Sequence, residues 1–101
     1  MASQILERIR ECIRTGKYDL TSHAFDEMAE DALSLLDVEQ SILSGKIDKM
    51  EIDDPRGTKY IIHGTGSSPF VKVATVGRFV PDNSYLIITV YVANENGEDY
   101  V

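Results

Sequence analysis

One cysteine, Cys12, is all the thiol chemistry in this chain. That excludes an intrachain disulfide and any Cys-rich metal site. Set in a helical pattern beside Ile9 and Ile13, Cys12 reads as a small buried thiol. Long apolar runs are also missing. Stretches such as Leu86-Ile87-Ile88 fall far short of the ~20 residues that a membrane span needs. The opening Met-Ala-Ser-Gln-Ile-Leu-Glu-Arg turns charged within a few residues, so no signal peptide and a cytoplasmic location are expected. Bases are in short supply too, with 10 Lys+Arg against 17 Asp+Glu, a net charge of −7 and a pI near 4.6. An acidic surface repels phosphate backbones, which disfavours nucleic acid as a partner. With 43% hydrophobic and 27% charged residues over 101 positions, the composition is that of a folded chain with one modest core. We expect a single domain over residues 1–93 and an acidic, frayed tail over 94–101.

The hydropathy period is helical first and alternating afterwards. Ile5, Leu6, Ile9, Cys12 and Ile13 form one stripe of a helix over about 3–16, with charges opposite and Gly16 as a stop. Tyr18 to Leu20 is a short extended piece. Thr21 and Ser22 offer an N-cap to a second helix, about 22–32, with Phe25, Met28, Ala29 and Ala32 inward. A third helix, about 35–44, turns Leu35, Val38, Ile42 and Leu43 inward and ends at Gly45, read as a left-handed stop. Strands are expected at 46–52, 58–63, 70–79 and 85–93, with turn chemistry at Asp53-Asp54-Pro55-Arg56-Gly57 and Pro81-Asp82-Asn83-Ser84. Without repeats or an internal linker, this is an α+β domain with N-terminal helices on a twisted antiparallel sheet of about four strands.

A tight turn centred on Asp82-Asn83 places Phe79 opposite Leu86. One hairpin face then carries Val71, Val73, Thr75, Gly77 and Phe79 with Leu86, Ile88, Val90 and Val92, and should meet the helices. The other carries Lys72, Ala74, Val76 and Arg78 with Tyr85, Ile87, Thr89 and Tyr91. Two cations and two phenols on one face read either as a solvated surface or as an anion site, and a one-residue change of register exchanges the faces.

The most distinctive stretch is Ser22-His23-Ala24-Phe25-Asp26-Glu27-Met28-Ala29-Glu30. A histidine in a first helical turn after a strand can present its imidazole at a sheet edge. Followed by the helix Val38…Gly45 and by Ile88-Thr89-Val90-Tyr91, it resembles domain-of-unknown-function family 4258, a group of small bacterial proteins. That family's pattern is roughly Ser-x-His-Ala-x-x-Arg-Met-x-x-Arg, then a valine-bearing helix ending in glycine, then a meander closing near Ile-Thr-Val-Tyr. The likeness covers about residues 17–93, with Lys46 to Asp53 and Thr58 to Gly64 fitting the first strands. It implies a RelE/ParE-toxin-like fold, some of whose members are ribonucleases. In those enzymes a ribose 2′-hydroxyl attacks the adjacent phosphate while a base takes its proton and cations hold the charge. Carried over, the candidate catalytic residues are His23, Lys72, Arg78 and Tyr91.

The chain departs from the pattern by placing Glu27 and Asp31 where the family has arginines. Two charge reversals beside His23 replace phosphate attraction with repulsion. His23, Glu27 and Glu30 share a helix face at i, i+4 and i+7, but no second ligand-rich segment completes a metal shell, so no metal and no cofactor are expected. His63 reads as a sheet surface residue.

The first functional reading is therefore a non-enzymatic protein-interaction module with a degenerate nucleic-acid site. Its partner would be an antitoxin-like protein, or a second copy joined through the sheet. The alternative is a metal-independent endoribonuclease of a toxin–antitoxin pair. The charge is unevenly spread: residues 17–45 hold one base and seven acids, a net of −6, whereas residues 46–82 hold six bases and five acids. A small basic site on the sheet is thus compatible with the global charge, and Glu27 and Asp31 are the stronger argument against RNA. No membrane partner is expected.

Overall fold

Leu6, Ile9, Cys12 and Ile13 turn one face of the first helix, α1 (Ala2–Thr15), into the core, and Ile9 is fully covered. The computed structural model describes residues 2–93, so the expected frayed tail lies outside the described residues. Gly16, at φ +75°, ends α1 where a side chain would be strained. Then come β1 (Tyr18–Leu20), α2 (Ser22–Glu30), α3 (Leu35–Ser44), β2 (Lys46–Glu51), β3 (Lys59–Thr65), β4 (Lys72–Phe79) and β5 (Tyr85–Val92). The α+β class is as expected, but the strands number five and the sheet is mixed. The order is β1-β5-β4-β3-β2, with β1 parallel to β5 and the other pairs antiparallel. The extended piece Tyr18–Leu20 is the fifth strand, paired Tyr18 to Tyr85 and Leu20 to Ile87. Three residues joined to a strand at the far end of the chain carry no local pairing signal.

Thr21 caps α2, its Oγ1 accepting from the Ala24 amide at 3.1 Å. Ser34 and Asp37 form a capping box at α3: Ser34 Oγ accepts from Asp37 N, and Asp37 Oδ2 accepts from Ser34 N at 2.9 Å. The inward stripes differ from expectation on both helices. α2 buries Ala24 and Met28, whereas Phe25 is 53% exposed and Ala29 and Ala32 face solvent. The helix packs chiefly along β5 at the margin of the sheet, so it covers only a narrow stripe. α3 buries Val38 and Ile42 together with Asp37 and Ser41, while Leu35 and Leu36 are exposed. β3 comes close to the backbone of α3: a Cβ on Gly64, or on Gly45, would collide with the Ser41 carbonyl. Gly45 has φ −88°, so close approach, and not a left-handed turn, is what requires glycine there.

The hairpin holds the expected register only over Val73 to Val76, where Ala74 faces Tyr91 and Val76 faces Thr89. A bulge opposite Val76 and Gly77 then shifts β5, so that Gly77 faces Ile87 and Phe79 faces Tyr85. Tyr85 and Ile87 therefore lie in the core, fully covered, and Leu86 lies opposite Arg78 on the open face. The reason is local. Gly77 leaves a gap on the helix side that the Tyr85 ring fills, and Tyr85 meets Phe79 edge-on at 5.5 Å. Strand β4 also begins at Lys72, and Phe70 stands 91% exposed in the loop before it.

Candidate functional site

The open face of the sheet, opposite the helices, is assembled from strand register. Residues directly across from one another share a face, so Lys46, His63, Ala74 and Tyr91 form one row and Lys49, Ile61, Val76 and Thr89 the next. Ala74 is fully covered although it lies outside the helix-side core, because it is small and stands between His63 and Tyr91. A shallow hollow of about 420 Å³ opens on this face, lined by Asp48, Lys49, Glu51, Ile61, His63, Val76 and Tyr91. His63 Nε2 lies 4.0 Å from Asp48 Oδ2 across its rim. The walls thus offer an imidazole, a phenol and an ammonium alongside two carboxylates, over an aliphatic floor. No group of three His, Cys, Asp or Glu residues placed to hold a metal ion occurs among the described residues.

The four expected catalytic side chains do not converge. Lys72 and Arg78 stand at opposite ends of β4, about 20 Å apart at ~3.3 Å per residue. Tyr91 is a diagonal neighbour of Lys72, within roughly 8 Å, but lies two rows from Arg78. His23 is on α2, at the β5 margin of the sheet, with its side chain 66% exposed. The structure instead gathers Tyr91 with His63 and Lys49. Sequence reasoning missed that grouping because it needs the register of four strands. The signal that was present is the alternation of β3, which sets His63 and Ile61 on one side and Ile62 on the other.

A family model described as a domain of unknown function (DUF4258) matches residues 20–92. The chain belongs to this family. No curated protein and no solved structure matches the chain. The DUF4258 match runs from the end of β1 to the end of β5, and α1 precedes it.

Within the DUF4258 region, Glu27 has a constructive task. Past Leu20, β1 no longer covers the outer edge of β5, and α2 takes over. Thr21 N donates to Ile87 O at 3.0 Å, Thr21 Oγ1 donates to Ile88 O at 2.9 Å, and Glu27 Oε1 accepts from Val90 N at 3.0 Å. The other oxygen of Glu27 lies 3.4 Å from His23 Nε2. An arginine at position 27 has no acceptor to offer the Val90 amide. Asp31 serves as the C-cap of α2, its amide bonded to Glu27 O.

Elsewhere in this DUF4258 chain the perturbed groups are structural. Bonds from Ser67 and Ser34 hold Asp37 down at about 2, well below the usual carboxylate range, and pin the loop after β3 to the start of α3. Arg56 does the same to Asp54, also at about 2, within the turn before β3. Burial pushes the Cys12 thiol up, which keeps it protonated and unreactive. Cys12 donates weakly to Asn83 O at 3.4 Å, beside Arg8 stacked 4.3 Å over the Phe79 ring.

Proposed function

We propose that this chain is a non-enzymatic protein-interaction module on a RelE/ParE-like fold, docking a basic protein surface, as of an antitoxin-like partner, against its acidic helices. The observation that carries this reading is the separation of Lys72 from Arg78 by about 20 Å, with His23 on a different element. Attack of a ribose 2′-hydroxyl on the adjacent phosphate, with the 5′-oxygen of the next nucleotide leaving, needs a base and a cation around that one phosphate, within hydrogen-bond reach. Of the two residues that reverse charge relative to the family pattern, Glu27 is engaged at the β5 edge through its carboxylate, whereas Asp31 caps α2 through its backbone amide and stands exposed. The surface left for a partner is acidic and partly apolar: Asp26, Glu30 and Asp31 are exposed, and so are Phe25 and Leu36, each at 53%. Residues 22–45 contain no lysine or arginine.

The test has two arms. Purified protein incubated with total bacterial RNA is expected to leave it intact, and expression in bacteria is expected to leave growth unchanged. A model amphipathic Lys/Leu helix is expected to bind in low salt, to weaken as salt rises, and to lose affinity in the triple variant Asp26→Lys, Glu30→Lys, Asp31→Lys. The second reading, a ribonuclease, is favoured by the hollow that brings Lys49, His63 and Tyr91 together. RNA cleavage abolished by Lys72→Ala and Arg78→Ala, or by His63→Ala, would establish it and overturn the first.

A further inference from the structure

The two rims of the sheet are finished differently. On the β5 side the rim is closed, by β1 and then by Thr21, which caps α2, and Glu27 within it. On the other side β2 ends the strand order, and among the described residues no strand lies beyond it. A free rim of six residues is a template for another strand. Lysines and bulges on such a rim ordinarily discourage pairing, and β2 has both. Here, however, the lysines alternate with carboxylates, and the order of charges is self-complementary.

We propose that two copies of this chain pair antiparallel through β2, forming one continuous sheet of ten strands, five from each copy. Centred between Asp48 and Lys49, the strand Lys46-Ile47-Asp48-Lys49-Met50-Glu51 reads as its own complement. Lys46 meets the partner's Glu51, Ile47 meets the partner's Met50, and Asp48 meets the partner's Lys49. Each pair then occurs twice about the twofold axis.

The bulge makes this pairing possible. Residues opposed in an antiparallel ladder must lie on the same face of the sheet. In a strand of strict alternation, positions 46 and 51 lie on opposite faces, and so do 47 and 50. The irregularity between Ile47 and Lys49 changes that parity. Lys46 and Glu51 lie on the open face opposite His63 and Lys59, and Lys49 joins them opposite Ile61. Asp48 faces the same way, toward His63 and into the hollow. Ile47 and Met50 lie on the helix side, opposite Ile62 and Tyr60. From 46 to 51 the faces run open, helix, open, open, helix, open, which is unchanged on reversal. Met50, 45% exposed in the single chain, gains an aliphatic neighbour in the partner's Ile47. The interface is independent of whatever the acidic helices bind.

Sedimentation equilibrium of the full chain, from micromolar to millimolar, tests the proposal. A monomer–dimer equilibrium is expected. Asp48→Lys sets lysines against lysines across the axis, and Lys49→Asp sets aspartates against aspartates, so each variant alone is expected to self-associate at least tenfold more weakly. An equimolar mixture of the two restores every attractive contact and is expected to dimerise within about threefold of the parent. Both positions are exposed, and circular dichroism checks that each variant keeps its fold. In the unaltered protein, amide exchange over residues 46–51 is expected to slow as concentration rises. A chain that stays monomeric, a dimer indifferent to either substitution, a mixture that fails to associate, or exchange insensitive to concentration would each overturn the proposal.

Discussion

The Glu27 carboxylate bridges two groups that the chain separates widely, the Val90 amide at 3.0 Å and the His23 imidazole at 3.4 Å. Of these, the Val90 bond carries the structural consequence, because a strand-edge amide without an acceptor loses a charge-assisted hydrogen bond. Glu27→Arg is expected to destabilise the fold by about 1–3 kcal/mol and Glu27→Gln, which keeps an acceptor, by under about 1. Urea denaturation measures the difference, and the Val90 amide should exchange faster in the arginine variant alone. His23→Ala, at an exposed side chain, is expected to change stability by no more than about 0.5 kcal/mol.

Asp37, with Asp54, contributes to the acid limb of stability. The Asp37 carboxyl accepts from Ser67 N at 2.8 Å and from the Ser67 hydroxyl, as well as from Ser34, which holds it at about 2. Since an unfolded aspartate titrates near ~3.9, the folded state binds fewer protons between these values. Its contribution is complete above about pH 5 and is lost as pH falls toward 2. Asp37→Asn is expected to cost roughly 1–2 kcal/mol at pH 7 and to flatten the decline of the urea midpoint between pH 5 and 2. An unchanged acid limb in that variant would move the responsibility to other carboxylates.

Tyr85 is fully buried, and its hydroxyl has no hydrogen-bond partner among the described residues. Burial also raises its pKa, so the phenol stays neutral throughout the usable pH range. A buried hydroxyl left unpaired costs about 1–3 kcal/mol, so Tyr85→Phe is expected to raise stability by about 1 kcal/mol. Gly77→Ala should do the opposite. Its Cβ would run into the Tyr85 ring, and overpacking of this kind costs about 1–3 kcal/mol. Thermal melts of the two variants and of the double variant test whether the ring is the common cause. Phenylalanine keeps the ring, so the alanine penalty should persist in the double variant.

How far these elements were legible depends on the range of the forces that set them. The three helices follow from local periodicity and caps, as with Thr21 and the Ser34–Asp37 pair, which act over three residues. The hairpin faces were legible only as far as Val76. The bulge beyond it depends on Gly77 making room for Tyr85, a packing choice that alternation does not encode. Local sequence marks Tyr18 to Leu20 as an extended piece but not as part of the sheet, because Tyr18 pairs with Tyr85 across about two thirds of the chain. The same distance hid the hollow. His63 reads as a plain sheet surface residue because its neighbours Asp48, Ala74 and Tyr91 come from three other strands. Glu27 was seen as a departure from the family pattern, and only the edge of β5 explains why an acceptor stands there.

The helix that precedes the family match is part of the fold it precedes. Arg10, on α1, reaches the C-terminal end of α3, where Nη2 donates to Gly45 O at 2.9 Å and Nε to Ile42 O at 3.5 Å, while Nη1 pairs with Glu7 at 2.9 Å. A cation there satisfies carbonyls that the helix cannot and opposes its negative end. Behind it, Ile9 is fully covered in the same core as Val38 and Ile42. Arg10→Met keeps most of the apolar stem but removes the donors, and is expected to cost about 1–2 kcal/mol. Ile9→Ala, which leaves a cavity, is expected to cost about 2–5 kcal/mol. Arg10→Lys preserves the charge without the fork and should fall between the parent and the methionine variant. If chemical denaturation found Arg10→Met and Ile9→Ala both as stable as the parent, α1 would be an appendage, and residues 20–92 would hold the fold by themselves.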